Sequence, residues 1–278
     1  MKKCFYFLKM SIFKKLIINN LRCAFGQKKK GVELGGDVIL SRLPQSIQTQ
    51  TCEFKDFESY GDAYNLVYNK IRQNFCLNLG GDHSIAASTV RPLLDIYKDD
   101  LLVVWIDAHP DVNTLDTSIT KSLHGTPVAS LLGLQPYWYM EKKTTSHSLD
   151  PQNLAYFGIR DIDPPEASFI EQLKIPLYHK TDELIKFIDS HPAKHIHISC
   201  DIDGIDPETM SATGTPVKDG LTQLSVQKVI RHCMPRLISL DLVEFNPLLG
   251  DSKKTVDNIL ELLEPLEPLH LKDRFKTV

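Results

Sequence analysis

The sequence predicts an α/β protein in which one mainly parallel sheet carries helices on both faces and a single site at its carboxyl edge. Three observations lead there. First, five apolar runs, NFCLNLGGDHS, LLVVWIDAHPDVN, LAYFGIRDIDPPE, KHIHISCDIDGIDP and LISLDLVEFNP, each end in aspartate, glutamate or histidine. Short runs rich in β-branched and aromatic residues are what strands buried on both faces look like. Second, segments of helical character separate them, and that alternation places neighbouring strands in parallel. Third, independent surface loops would not repeat the same order of apolar run and charged terminus. Ligands of open α/β sheets bind just beyond the carboxyl ends of the strands.

In chain order, residues 1–14 read as a basic N-terminal extension, since no acidic residue precedes Glu33. An organelle-targeting peptide is the alternative. A first strand is expected over Lys15–Cys23, followed by a glycine-punctuated loop over Gly26–Ile39 whose three lysines form a solvated turn. That loop lacks the phosphate-binding G-x-x-x-x-G-K-[ST] pattern. Between Phe54 and Arg72, the residues Tyr64, Val67, Tyr68 and Ile71 recur at helical spacing and predict a packed stripe. Asp82, His83 and Ser84 follow the next strand. The stretch Leu101–Asn113 then gives the organising strand, whose end carries Asp107, His109 and Asp111 at alternate positions, so that all three point into one space. A polar loop over Val112–Gly125 contains His124, for which a capping or surface position is the bland alternative, and a helix follows Pro127. Gln135–Gln152 reads as a surface excursion. Further strands end in Asp161, Asp163 and Glu166, in Asp201 and Asp203, and in Asp241 and Glu244, while His195 and His197 read as strand residues rather than ligands. Helices are expected from about Gln223 and again around Val256–Leu263. The segment 264–278 forms a C-terminal tail, and 1–278 reads as one domain.

Composition excludes several classes. A net charge of -3 argues against a general nucleic-acid binder. The 6 cysteines contain no C-x-x-C pair and read as reduced thiols of a cytoplasmic protein. No apolar run reaches the roughly 18–20 residues of a membrane span. A small-molecule substrate is expected, with neither nucleic acid nor membrane as partner.

Pooled, the strand ends supply two imidazoles, His83 and His109, and four carboxylates, Asp107, Asp111, Asp201 and Asp203. That charge suits two divalent ions sharing carboxylates, which together activate water for hydrolysis. Oxygen and imidazole donors without thiolate favour Mn²⁺, then Fe or Co, over Zn. Phosphoester and C–N substrates both remain open on this ground. The surplus acids Asp163, Glu166 and Glu244, with only Arg160 nearby, favour a cationic substrate such as a guanidinium.

The motifs LGGDHS, WIDAHPDVN, LHGTPV, SCDIDGIDP and SLDLVEFNP closely resemble those of the ureohydrolases, the arginase and agmatinase family, in the family's order from Gly26 to the last helix. The resemblance implies a three-layer α/β/α sandwich with a mainly parallel sheet (the arginase/deacetylase-like fold) and two Mn²⁺ per chain. It assigns one ion to His83, Asp107, Asp111 and Asp201, and the other to His109, Asp107, Asp201 and Asp203. DVN, GIRDIDPPE, ATGTPV and DLVEFNP look like arginase rather than agmatinase. By that likeness Asn113, Ser118 and Thr120 read a substrate α-carboxylate, Asp163 and Glu166 its α-amino group, and Glu244 its guanidinium. The implied reaction converts L-arginine to L-ornithine and urea through a metal-bridging hydroxide oriented by Asp111. His124 shuttles the proton, with a pKa suited to work near pH 7. The chain departs from the family at Thr120-Lys121-Ser122, where a Ser/Thr-Gly-Asn run is usual, so Lys121 either strengthens carboxylate binding or crowds the site. Gly35-Gly36 stands where Gly-Pro is common. The resemblance implies a homotrimer or homohexamer. Rival readings are an agmatinase or other guanidino hydrolase, a non-catalytic arginine-binding scaffold, and, more remotely, a metallophosphoesterase.

Overall fold

Strands that bury both faces assemble into one sheet. The structure is a computed structural model and describes residues 15–138 and 147–270. The basic segment 1–14, residues 139–146 of the predicted surface excursion and the tail beyond 270 lie outside the described residues. The described residues form eight strands: β1 (Lys15–Arg22), β2 (Gln48–Glu53), β3 (Asn74–Gly80), β4 (Leu101–Ile106), β5 (Leu154–Phe157), β6 (Leu177–Tyr178), β7 (His195–Asp201) and β8 (Leu237–Val243). Their order is β2-β1-β3-β8-β7-β4-β5-β6, and every neighbouring pair is parallel. The chain fills the two central places last, inserting β7 and β8 between β3 and β4. Four central strands therefore end side by side.

Alternation along β4 divides the core in two. Leu102, Val104 and Ile106 face one layer, while Leu101, Val103 and Trp105 face the other. Against the first face pack α1 (Gly35–Leu40), α7 (Thr181–Ser190), α8 (Gln223–Cys233) and α9 (Ser252–Leu262), through Ile39, Leu184, Ile188, Val229 and Ile259. The second face carries α2 (Glu58–Tyr68), α3 (Ala86–Thr89), α4 (Arg91–Tyr97), α5 (Pro127–Leu131) and α6 (Pro164–Leu173), through Val67, Ala87, Leu93, Val128 and half-buried Phe169. The result is the expected three-layer sandwich, with a sheet that is wholly rather than mainly parallel. Burying each such aliphatic side chain stabilises the fold by about 1.5–3 kcal/mol.

Several elements differ from the sequence reading, each for a physical reason. The two edge strands, β2 (QTQTCE) and β6, carry no apolar run, because an edge strand buries little of its surface. The expected Gly26–Ile39 loop closes into a 3-10 turn at Val32–Leu34 and then α1, despite the glycines. On α2 the buried stripe is Tyr60, Ala63 and Val67, continuing to Ile71, so Tyr64 and Tyr68 stack on each other at its flank and Tyr68 is exposed. The expected tail begins instead with a 3-10 turn (Glu264–Leu266) and the short α10 (Glu267–His270), which seat Leu266 and Leu269 in the core. His195 and His197 lie within β7 as expected.

Two glycines let the strand ends approach. A Cβ on Gly81 would lie 1.7 Å from the Cys23 carbonyl oxygen, and one on Gly204 would lie 2.9 Å from the Asp107 nitrogen. Both are contacts that only a bare Cα allows.

Candidate metal centre and substrate cleft

Asp107 is the first residue beyond β4, and its two oxygens face two different histidines. His83 Nδ1, from the end of β3, lies 2.9 Å from Asp107 Oδ2, 3.1 Å from Asp111 Oδ2 and 3.5 Å from Asp201 Oδ2. His109 Nδ1 lies 3.5 Å from Asp107 Oδ1 and 3.2 Å from Asp203 Oδ2. All six predicted ligands thus converge. Five of them form two trios, His83–Asp107–Asp111 and Asp107–His109–Asp203, within each of which the ligand atoms lie no more than 4.8 Å apart, and Asp201 stands beside the first through its approach to His83. Asp107 is common to both. Strand alternation does not bring Asp111 here: the residue is left-handed, with φ of 51°. A turn performs the convergence that the sequence reading gave to an extended segment.

The donor set fits divalent cations. His83 Nδ1 is buried without a well-aligned hydrogen bond and faces the Asp107, Asp111 and Asp201 carboxylates. Burial, and then repulsion from neighbouring carboxylates, pushes Asp201 and Asp203 upward and brings Asp111 to about 7. Asp107 goes the other way: its burial is outweighed by hydrogen bonds and charge from His109 and His83, which hold it below the usual carboxylate range. Four buried acids against two imidazoles leave negative charge that a cation would neutralise. The nearest thiol, Cys200, contacts the Asp201 carbonyl and belongs to the opposite core layer.

The ligands are held from behind. Ser199 Oγ is 2.8 Å from His83 Nε2, and the Trp105 ring stacks on His83 at 4.1 Å. The Trp105 indole donates to Asp107 Oδ2 (3.1 Å), and Thr215 donates to Asp203 Oδ2 (2.8 Å). Such supports fix ligand orientation. The sequence reading singled out none of these three supports. Ser199 and Trp105 were within reach of it, since each lies two residues before a ligand aspartate on the same strand face. Arg160 was noticed only as a stray cation. Its guanidinium donates to the carbonyls of Gly158, Asp203, Gly204, Val217 and Lys218, tying the loop after β5 to two places in the connection that follows β7.

Above the carboxylates opens a cleft lined by His109, Asp111, Asn113, Ser118, Ile119, Thr120, Ser122, His124, Gly125, Asp163, Glu166, Asp201 and Thr215. The expected substrate contacts Asn113, Ser118, Thr120, Asp163 and Glu166 all stand on its wall. Asn113 Nδ2 donates to Asp163 (3.1 Å), and the Glu166 carboxylate accepts the Val112 and Asp163 amides. Burial and the Asp111 charge outweigh those amides and raise Glu166 to about 8. Glu244 is not on the wall. It is buried behind His124, left-handed with φ of 64°, accepting from Gln27 Nε2 (2.6 Å) and the His83 amide (2.9 Å), with His124 Nδ1 at 3.1 Å. Nothing in the sequence marked Gln27. Burial works to lower His124, but Glu244, Asp111 and Asp82 overcome it and raise the ring to about 9, above the expected value near 7. His124 therefore carries a proton at neutral pH, which suits a donor.

Known proteins share this arrangement of chain. The sequence profile of the arginase family matches residues 20–266. Arginase of Schizosaccharomyces pombe is 36% identical over 284 aligned positions, covering 86% of this chain and 88% of its own. Arginase of Saccharomyces cerevisiae is 36% identical, covering 77% of this chain and 71% of its own. Among solved structures, Entamoeba histolytica arginase in complex with L-ornithine superposes with a TM-score of 0.82 at 30% identity, over 91% of this chain and 98% of its own. The agmatine ureohydrolase of Thermoplasma volcanium, at 21% identity and a TM-score of 0.73 over 96% of this chain and 93% of its own, shares the fold. With the family profile spanning nearly all of the described residues, the chain belongs to the arginase family.

Proposed function

We propose that this protein is a binuclear manganese hydrolase that converts L-arginine to L-ornithine and urea. The observation that carries this reading is Asp107, shared between two histidine–carboxylate trios at the floor of a cleft. His83, Asp107, Asp111 and Asp201 would hold one ion, and His109, Asp107, Asp201 and Asp203 the other. Such a pair, when bound, would lower the pKa of water and so supply hydroxide near neutral pH.

The chain's own residues do the rest. Asp111, on the cleft wall and the floor at once, orients the attacking water. Glu244 supplies the negative charge toward which the guanidinium is drawn, and its hold on His124 positions that ring. Water adds to the guanidinium carbon, giving one proton to Asp111, and forms a tetrahedral adduct. The bond to the side-chain nitrogen then breaks as protonated His124 gives that nitrogen its proton. The hydroxyl proton of the adduct passes to the released amine, which leaves as an ammonium beside urea while the proton on Asp111 returns to His124. Asn113, Ser118 and Thr120 receive the α-carboxylate, while Asp163 and Glu166 receive the α-amino group at the outer end of the cleft. A family relative solved with L-ornithine supports a product of that class in this fold.

The test is urea release by Mn²⁺-loaded protein on L-arginine and on agmatine, with metal measured on the same sample. Urea from arginine with about two ions per chain supports the reading. Urea from agmatine alone overturns the roles of Asn113, Asp163 and Glu166, and an inability to bind metal overturns the reading altogether.

A further inference from the structure

Lys121 stands in the Thr120-Lys121-Ser122 run, where the sequence departs from the ureohydrolase pattern. Its backbone is left-handed, with φ of 57°, a conformation natural to glycine and unfavourable for lysine. The side chain does not enter the cleft. Its ammonium turns back along the loop and donates to the carbonyl oxygens of Leu115 (2.6 Å) and Asp116 (3.2 Å). Its amide donates to Ser118 Oγ at 3.1 Å. One residue therefore closes the loop 113–122 twice, through its backbone and through its charge.

The consequence lies in the hydroxyls. Ser118 Oγ accepts the Lys121 amide, and Thr120 Oγ1 accepts the Ser122 amide at 3.3 Å. A hydroxyl that already accepts from an N–H has its own proton left to donate. Both hydroxyls stand on the cleft wall, so the loop offers O–H donors to an anionic substrate end. We propose that Lys121 is a positioning residue, a cationic clamp that fixes this loop for carboxylate recognition and thereby sets preference for an amino-acid substrate over its decarboxylated amine. The proposal rests on the arginine reading above and assigns this chain a device in place of the family's glycine.

The experiment compares wild-type protein with Lys121→Met, Lys121→Gly and Lys121→Arg in steady-state urea release from L-arginine and agmatine. Loss of a charge-assisted clamp should raise KM for arginine about tenfold in the Met and Gly variants, with kcat unchanged. KM for agmatine, which has no carboxylate, should not move, and Lys121→Arg should restore the wild-type KM. Three results overturn the clamp: an unchanged arginine KM in Lys121→Met, equal losses on both substrates, or a Lys121→Met defect that vanishes in high salt. The last would show direct pairing of the ammonium with the substrate. The wild-type arm separates the two ideas, because a wild-type protein without arginine activity overturns the arginine reading and the clamp's carboxylate role with it.

Discussion

His124 sits where two demands meet. It lines the cleft, and its Nδ1 lies 3.1 Å from buried Glu244, which keeps the ring protonated at neutral pH. A proton donor placed this way contributes typically 10²–10⁴-fold to a rate. His124→Asn should therefore lower turnover by at least about a hundredfold while metal content, measured by atomic absorption, stays at the wild-type value. Loss of metal in that variant would recast His124 as part of the metal scaffold. Ser199 makes the complementary prediction. Its hydroxyl orients His83 from the side opposite the carboxylates, so Ser199→Ala should weaken metal affinity by about 10–100-fold in a chelator competition. An unchanged affinity would show that Trp105 stacking alone orients the ring.

At the scale of elements, strands place the site residues and loops aim them. The ends of β3, β4, β7 and β8 lie side by side, yet Asp111 and Glu244 point correctly only because each adopts a left-handed backbone. Such conformations are unfavourable for non-glycine residues and persist where the surroundings over-determine them. Arg160 braces a different part of the same edge, bonding carbonyls of the loop after β5 and of two places, 203–204 and 217–218, in the connection from β7 to α8. Arg160→Met would leave those carbonyls without their donors and should destabilise the fold by about 2–4 kcal/mol in urea denaturation. A change below about 0.5 kcal/mol would mean that water replaces the guanidinium without loss.

For the whole molecule, the buried acids and His124 make stability depend on pH in a defined direction. Folding raises Asp111 from 3.8 to about 7, Glu166 from 4.5 to about 8 and His124 from 6.5 to about 9. Each group is thus more protonated in the folded state than in the unfolded one, and what it contributes is lost as pH rises through the folded pKa. Asp107 and Glu244 are lowered instead, so their contribution changes only in acid, below this window. Chelator-treated protein should melt at progressively lower temperature between about pH 5 and pH 9. Mn²⁺-loaded protein should resist that fall, because metal binding takes deprotonated ligands and strengthens as pH rises. Parallel melting curves with and without Mn²⁺ would count against a metal at this site.

The sequence alone determined the six strands inside the two edges, the parallel layering and all six candidate ligands. These follow from patterns local in the chain: a run of apolar residues long enough to be buried on both faces, then a charged terminus. It determined neither edge strand, because β2 and β6 bury too little to carry an apolar signature. Of the expected α2 stripe it placed Val67 and Ile71 correctly but not the two tyrosines, since a tyrosine serves a buried face and a flank equally well. Tertiary structure decided everything that depends on convergence from distant positions. Gln27 meets Glu244 across 217 residues, and Arg160 collects carbonyls from loops remote in sequence. Whether Lys121 crowds the cleft or braces it was fixed by the sign of one backbone angle and by the two carbonyls within reach of its ammonium. Local chemistry names the residues, but long-range packing sets the direction in which each polar atom points, and that direction decides its role.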